Sequence, residues 1–528
     1  MPLPEVYSER AKNAVALHIR WLDGLVLVPI VGIALMLRFA RLTSKPFWFD
    51  ECFSVELARL RLGSFLRVIW WREANMSLYY SLLRAWLHFG QSELFIRSLS
   101  VFFAVATIPV IYWLGRQLYD RKVAFLASAL LAFNAYNVRY SQEARSYTLF
   151  VLLATLSSGW FVSWVHTPTR RSRTAYILTS ILAVYAHFYA LLLIAAQWIV
   201  LRLFSASHRK NSGHAQSVDA LVPPWKAIGL GVLPLIVFVA KTGAGPIRWI
   251  HRPGLHDLLT FWRDFCGGSN WMLPAIFAVA CIAGAATAAK RLIRRNQTWE
   301  TWRIQFLLAW LVFPIVLTVG VSFLRPVFLP RFLIFCQPAV VILVAAGIAQ
   351  LRRIWLVTPA LVLIFLLALQ GTFFVYGHDY DDQRDGSGAA ANFVLNHSQT
   401  GDAILFHITE ARVPYEFFRS LRVRENTASP GFTGKLGPDI LFPNFGPGLD
   451  YSDFKAKPIP EILRAELPNY SRVWVFFMYS EGGGAGRTTA MFTQMLAQFF
   501  PRKECRDFPK VDVCLYSKSE GPDIRGQF

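Results

Sequence analysis

Apolar runs of about 20 residues recur along this chain, and short loops rich in arginine and lysine separate them. A helix needs about 20 mostly apolar residues to cross the hydrocarbon of a bilayer, so this pattern leaves few folds open. Nine runs are legible, near 22–40, 94–115, 123–140, 146–165, 226–242, 271–288, 304–323, 332–350 and 354–376. A further apolar stretch covers 175–204. Composition agrees: 54% of the 528 residues are hydrophobic and only 16% charged. Soluble domains carry roughly 25% charged residues. Disorder, collagen and a disulfide-dense miniprotein are excluded, and a purely soluble enzyme is disfavoured.

The net charge of +21 would suggest nucleic acid in a soluble protein. Here most of the excess lies in loops between apolar runs, which is the positive-inside pattern of a membrane protein, so no nucleic-acid partner is expected. Arg116, Arg121 and Lys122 mark one cytoplasmic loop, and Arg170, Arg171 and Arg173 the next. Lys290, Arg291, Arg294 and Arg295 mark another, and Arg352 and Arg353 the last. The first run follows Arg10, Lys12 and Arg20 and reads as a retained signal anchor. The stretch 175–204 has basic residues at both ends, so both ends favour the cytoplasm. A hairpin of two short helices with AHFYA (186–190) at its tip satisfies that. The expectation is a polytopic α-helical membrane protein with eleven membrane helices. Its N-terminus is cytoplasmic, and everything after residue 376 is outside the plasma (inner) membrane.

The loop 41–93 is expected outside yet holds seven basic residues, a feature that suits an anionic ligand. Within it SLYYSLLRAWLHFG (77–90) is amphipathic, and its apolar face is expected on the membrane surface. From Asp379 the chain turns polar and glycine-bearing. Alternating helix and strand patterns then predict a small α/β domain, with an ordered loop over 425–460. The expected division is 1–376, a membrane domain that includes loop 41–93, and 377–528, an extracytoplasmic α/β domain. Six cysteines show no CxxC spacing, so no zinc or redox signature is present. Cys505 and Cys514 flank a predicted hairpin and can pair in an oxidising compartment, or Cys514 is simply a buried strand residue.

Three groups of residues suit chemistry. Asp50 and Glu51 lie just beyond the first run, and charge near hydrocarbon is a functional candidate by default. An ion pair with Arg38 or Arg41 is the competing reading. In NVRYSQEARSY (137–147), Arg139, Glu143, Arg145 and Tyr147 fall within three helical turns. They read either as an internal ion-pair network or as an anion site, since the guanidinium fork matches phosphate oxygens. Arg325 and Arg331 flank an external turn, with snorkelling as the alternative. His187 at the hairpin tip suits a buried structural role at least as well as a ligand role. No Walker loop, HExxH or GxSxG is present, so nothing points to a soluble nucleotide cofactor.

The ordered set RFARL…PFWFDE, LLRAWLHFG, IYWLGRQLYDRKVAFLASALLAFNAYNVRYSQEARSY, AVYAHFYALLLIAAQ, PRFLIFCQPAVVILVAAGIAQL and RDGSGAAANFVLNHSQTGDAILF resembles the membrane glycosyltransferases of the C superfamily. The similar branch is that of protein O-mannosyltransferases and aminoarabinose transferases, over roughly residues 22–410. The resemblance implies an inverting transferase, mannosyltransferase-like. It would move a monosaccharide from a polyprenyl-phosphate donor to an acceptor hydroxyl. It implies Asp50 as the catalytic aspartate and Glu51 as its acidic neighbour. Arg139, Arg145, Arg331 and Arg325 are expected to bind the donor phosphate. Asn75, Tyr79, Tyr80, Glu143, Tyr147, His187 and Tyr189 are expected to line the substrate cavity. Many relatives read His-Pro-Pro-Leu or Glu-Lys-Pro where this chain has Asn75-Met76-Ser77-Leu78, so no metal ligand carries over. The rival classes are a lipid-linked-sugar flippase or transporter, which normally shows internal repeats, and a non-catalytic scaffold.

Overall fold

Helices form where the apolar runs place them, because a backbone in hydrocarbon has no partner for its polar groups except itself. A computed structural model describes residues 23–212, 222–242, 250–293, 298–351, 353–377, 386–408, 411–426, 436–442, 459–478 and 483–518. The chain divides into two compact units. The first is Met1–Leu42, Glu73–Tyr79 and Leu94–His378; the second is Thr43–Arg72, Tyr80–Glu93 and Asp379–Phe528.

The first unit is the membrane body. It opens with α1 over residues 23–39. After the loop come α5 (Glu93–Leu118), α6 (Arg121–Phe133), α7 (Ala135–Ser141) and α8 (Tyr147–His166). Then follow α9 (Arg170–Ala186), α10 (Ala190–Ser212), α11 (Val222–Thr242), the short α12 (Leu255–Phe265), α13 (Met272–Ile293) and α14 (Trp299–Ser322). A 3₁₀ turn, Pro330–Cys336, leads into α15 (Gln337–Ile348), and α16 (Ile354–Gly377) closes the body. Six of the described helical segments are long and apolar enough to cross a membrane: Glu93–Leu118, Tyr147–His166, Pro224–Thr242, Trp299–Ser322, Pro330–Ile348 and Trp355–Gly377. The molecule is thus a polytopic membrane protein, and other helices occupy the remaining expected positions.

Three expectations change. The run 123–140 is not one helix: Asn134 breaks it, and its side chain caps α7 by accepting from the Asn137 N–H at 2.9 Å. The run 332–350 starts as a 3₁₀ turn, with proline at its first position. The hairpin is present, with its turn at His187–Tyr189, but its helices reach out to Arg170 and Ser212 and are longer than expected. α15 is buried on every side, which is why its sequence has no polar face. Glycine makes room for it. A Cβ on Gly347 would lie 2.0 Å from the Ala280 carbonyl oxygen, so α13 and α15 meet backbone to backbone.

A buried polar network ties this body together. Arg38, fully buried, donates to the carbonyls of Ala34, Leu131 and Ala132 and to Asn137 Oδ1 at 2.7 Å. Asn137 Nδ2 donates to Gln337 Oε1 at 3.1 Å, and Gln337 Nε2 donates to Asn134 Oδ1 at 2.8 Å. Asn134 and Gln337 both reach the Phe265 carbonyl at 3.2 Å. The break between α6 and α7 is held by side chains from α1 and α15 and by the Phe265 backbone carbonyl at the end of α12.

The second unit joins the loop to the C-terminal domain. Its helices are α2 (Phe49–Arg59), α3 (Leu62–Trp71) and most of α4 (Ser77–Trp86), then α17 (Ser387–His397), α18 (Arg412–Asn426), α19 (Ile459–Glu466) and α20 (Gly483–Ala497). The strands are β1 (Ala403–Phe406), β2 (Asp439–Phe442), β3 (Arg472–Met478), β4 (Arg502–Phe508) and β5 (Val511–Ser517), in the order β2-β1-β3-β5-β4. β1 pairs in parallel with β2 and β3, whereas β5 is antiparallel to β3 and β4. Loop segments 43–72 and 80–93, expected with the membrane domain, are grouped here instead. The expected 425–460 loop contains the end of α18, residues 436–438 with β2, and the start of α19; residues 427–435 and 443–458 lie outside the described residues.

The expected amphipathic surface helix also shifts. α4 turns Tyr79, Tyr80 and Leu83 inward. The exposed apolar stripe belongs to α3: Leu62, Leu66, Trp70 and Trp71 are each 45–59% exposed. Their i, i+4, i+8 spacing explains the stripe. Cys505 and Cys514 sit opposite each other on β4 and β5 and are disulfide-bonded.

Candidate active site

The acidic pair opens a helix. Trp48 is the extended N-cap of α2, and Asp50 and Glu51 occupy its first turn, where the helix dipole favours negative charge. Glu51 is fully buried and Asp50 is half-buried. Ser54 Oγ donates to the Asp50 carbonyl at 2.8 Å and steadies that turn.

The C-terminal domain holds α2. Phe47 stacks on Phe417 of α18 with centroids 5.0 Å apart and planes at 8°. Arg59, at the end of α2, lies 5.4 Å over the same ring. Its guanidinium donates to Glu56 at 2.6 Å, Ser420 at 3.0 Å and Gln91 at 3.1 Å. A Cβ on Gly388 would meet the Phe47 carbonyl at 2.7 Å, so α17 also needs a glycine there. Burial pushes the Glu56 carboxyl up despite the Arg59 charge beside it. Tyr80 packs edge-on against Phe53 of α2, with centroids 6.5 Å apart. The sequence gives no hint of this attachment, because more than 350 residues separate Phe47 from Phe417.

The arginines belong to the membrane body. Arg145 sits just before α8 and is buried, 5.9 Å from the Tyr147 ring centroid. Arg331, in the 3₁₀ turn, is buried and lies 6.0 Å from the same ring. Both guanidinium groups thus lie about 6 Å from one tyrosine ring. Beside them is the hairpin tip. The His187 ring stacks on Phe150 at 5.1 Å and 12°, and Arg145 and Arg331 are the two charges acting on it. His187 Nδ1 accepts from the Tyr189 N–H at 3.2 Å, which leaves the proton on Nε2. That Nε2 is buried and has no partner among the described residues.

Neighbours fix this cluster. Tyr189 donates to the Val327 carbonyl at 2.6 Å, and its ring meets Phe332 at 5.3 Å. Asn75 Oδ1 accepts from the Phe188 N–H at 3.1 Å and pins the hairpin tip. The next residue, Met76, is held at φ +66°, a conformation that nonglycine residues seldom adopt. Tyr79 shares a 2.9 Å hydrogen bond with Ser100, whose hydroxyl donates to the Arg145 carbonyl at 3.2 Å.

Arg145, Tyr147, His187, Tyr189 and Arg331 are therefore brought together, with Asn75 and Tyr79 supporting them. Glu143 is buried on the same junction, where its carbonyl accepts from the Arg145 N–H. Arg139 is half-buried at the end of α7, 5.1 Å over Tyr140. Arg325 is exposed just past α14. Arg38, one candidate counter-ion for the acidic pair, has its terminal nitrogens occupied by carbonyls and Asn137. Asn134, Asn137 and Gln337 were missed as site supports; a polar side chain inside an apolar run is the signal that identifies them. No cluster of His, Cys, Asp or Glu able to hold a metal ion occurs among the described residues.

The fold, a polytopic helical bundle with a helical first loop and a sheet-bearing C-terminal domain, is similar to that of solved structures. ArnT from Cupriavidus metallidurans in the apo state matches with a TM-score of 0.61 at 12% identity, covering 96% of this chain and 100% of that one. The same protein bound to undecaprenyl phosphate matches at 0.56 and 12% identity, over 94% and 99% of the two chains. The apo oligosaccharyltransferase of Archaeoglobus fulgidus matches at 0.50 and 13% identity, over 90% of this chain and 71% of that one. No family model matches the sequence, and no curated protein does.

Proposed function

We propose that this protein is an inverting membrane glycosyltransferase. It moves a monosaccharide, a hexose or pentose with mannose the leading candidate, from a polyprenyl-phosphate donor to an acceptor hydroxyl. The observation that carries the reading is the convergence of Arg145 and Arg331 on Tyr147, beside the buried Nε2–H of His187. Two guanidinium groups and a neutral N–H donor in a buried setting suit a phosphate that must leave as an anion. The fold shared with ArnT, a protein crystallised with undecaprenyl phosphate, supports a polyprenyl-phosphate ligand.

In the proposed step the acceptor oxygen attacks the anomeric carbon opposite the phosphate. Its proton passes to the Asp50 carboxylate, which acts as general base. The bond between the anomeric carbon and the phosphate oxygen breaks, and its electrons stay on the phosphate. That group is a stable anion, so it needs charge stabilisation rather than a second carboxylic acid. Arg145 and Arg331 supply the charge, with Arg139 nearby in sequence, and Glu51 orients the acceptor. The site faces the outer side of the plasma membrane, with the N-terminus cytoplasmic and the C-terminal domain outside. The Cys505–Cys514 disulfide supports an oxidising compartment for that domain. The α3 stripe then rests at the membrane surface.

Purified protein in nanodiscs is incubated with radiolabelled polyprenyl-phosphate mannose and extracted acceptors. Transfer with inverted anomeric configuration is expected. R145K and R331K should each weaken donor binding at least tenfold, since lysine lacks the bidentate fork. Normal donor affinity in both variants would refute the phosphate site. Movement of the lipid-linked sugar across the bilayer without product would favour a flippase.

A further inference from the structure

The C-terminal sheet contains a feature that the transfer reaction does not use. β1 lies between β2 and β3, and the three strands run parallel. The chain leaves β1 for β2 on one side and then crosses to β3 on the other. The carboxyl ends of β1 and β3 therefore form a topological switch point, where open α/β sheets take ligands.

His407 stands at that edge, one residue beyond β1 and only 2% exposed. The register pairs Leu405 with Val475, which sets His407 beside Phe477, and their rings are 5.6 Å apart. Ala403, Leu405 and Phe477 pack in one cluster with Phe492, Met495 and Leu496 of α20. Side chains alternate along a strand, so His407 points to the face that α20 covers. Its Nδ1 accepts from the Met478 N–H at 3.2 Å; a contact with the Phe476 carbonyl is longer, at 3.4 Å. The proton then sits on Nε2, which is buried and has no partner among the described residues. A buried donor left unpaired is destabilising, so its presence calls for a reason.

α20 supplies the rest. It is 15 residues long, follows β3 closely and packs back along the same face, so its N-terminus lies at the carboxyl edge of the sheet. The first N–H groups of a helix have no partner within it and favour anions. Gly483, Gly484 and Gly486 open α20, and glycine allows close backbone approach to a ligand.

We propose that the carboxyl edge of β1 and β3 is an anion site that takes a phosphate group, whose oxygens accept from the His407 Nε2–H and the first N–H groups of α20. The phosphate belongs either to a soluble glycosyl phosphate or to a lipid headgroup. Neither source requires the transferase reading to hold.

The test uses the full-length protein in phosphate-free detergent solution, titrated with inorganic phosphate. Hydrogen–deuterium exchange should slow at His407 and in the first turn of α20, and the melting temperature should rise. H407F keeps the ring packing but loses the N–H, so phosphate affinity should fall at least tenfold. H407Q, which can both accept from Met478 and donate, should stay within about threefold of wild type. An R145K/R331K double variant should keep the full response, which separates this site from the donor site. Unchanged affinity in H407F, or no slowing of exchange at α20 in the wild type, overturns the proposal. If H407F does not fold, the exchange result on wild type and H407Q decides. Stronger protection by glucose 1-phosphate than by phosphatidic acid nanodiscs identifies a soluble ligand, and the reverse identifies a headgroup.

Discussion

The Phe47–Phe417 stack offers a direct test of how the acidic pair is positioned. Phe417 is fully buried, faces Phe47 at 5.0 Å and lies under the Arg59 guanidinium at 5.4 Å. Phe417→Leu keeps an apolar side chain of nearly the same volume and removes the ring. An aromatic pair contributes about 0.5–1.5 kcal/mol beyond its buried area. A partly exposed cation–π contact adds about 0.5–1 kcal/mol. The expected loss is therefore about 1–2.5 kcal/mol, small enough to leave a domain with 5–15 kcal/mol of stability folded. Both contacts lie at the two ends of α2, with Asp50 between them. A misplacement of about 1 Å at a reacting group can lower the rate about 100-fold. Phe417→Leu should thus lower kcat for transfer by at least tenfold, while donor affinity, which the proposal places in the membrane body, stays within about twofold. Single-turnover transfer and donor binding are measured separately in nanodiscs. If the variant loses the expected stability but keeps its kcat, α18 does not position Asp50 and the reasoning fails.

Asp50→Asn should reduce transfer by about 10²–10⁴-fold with folding intact, whereas Glu51→Gln that loses only thermal stability would make Glu51 structural. Gln337→Leu leaves Asn137 Nδ2 and Asn134 Oδ1 each short of one partner. Asn134 Oδ1 keeps the Asn137 N–H, so at about 1–3 kcal/mol for the orphaned Asn137 Nδ2 the substitution should destabilise the membrane body by about 1–3 kcal/mol, measured by steric trapping, and a loss below about 0.5 kcal/mol would mean that water fills the gap. Replacing Cys505 and Cys514 by serine opens a loop with a separation of nine residues; the chain-entropy relation gives about 2.5–3 kcal/mol lost from the C-terminal domain, and free thiols in the native protein would remove the bond altogether. Burial pushes the His407 imidazole down to about 4, below the value near 6.5 of an unfolded chain. Between those values the unfolded chain binds more protons, so stability is full above about pH 6.5 and declines as pH falls toward 4. From pH 7 to pH 5 the wild-type domain should lose about 2 kcal/mol more than H407Q in urea unfolding, and equal losses would place the proton uptake elsewhere.

The sequence alone determined the membrane class, the run positions, the hairpin over 175–204 and the α/β character of the C-terminal domain. Those follow from local rules: a helix in lipid needs a long apolar run, a strand shows period two, and basic residues mark loops. Arg145, Tyr147 and His187 were legible for a related reason, since polar side chains among apolar ones are conspicuous. The long-range facts were not. Nothing near Asp50 says that Phe417 holds its helix, and nothing near Asn134 says that Gln337 and Arg38 stabilise the break there. The choice of α3 over α4 as the exposed apolar helix also rested on which face the rest of the unit buries, because both helices are amphipathic. Arg325 and Arg331 look alike in sequence, six residues apart. Only the tertiary packing, which turns one inward beside Tyr147 and leaves the other exposed, separates them. Pairing between distant segments depends on shape and buried area summed over the whole fold, and no local window of sequence contains that information.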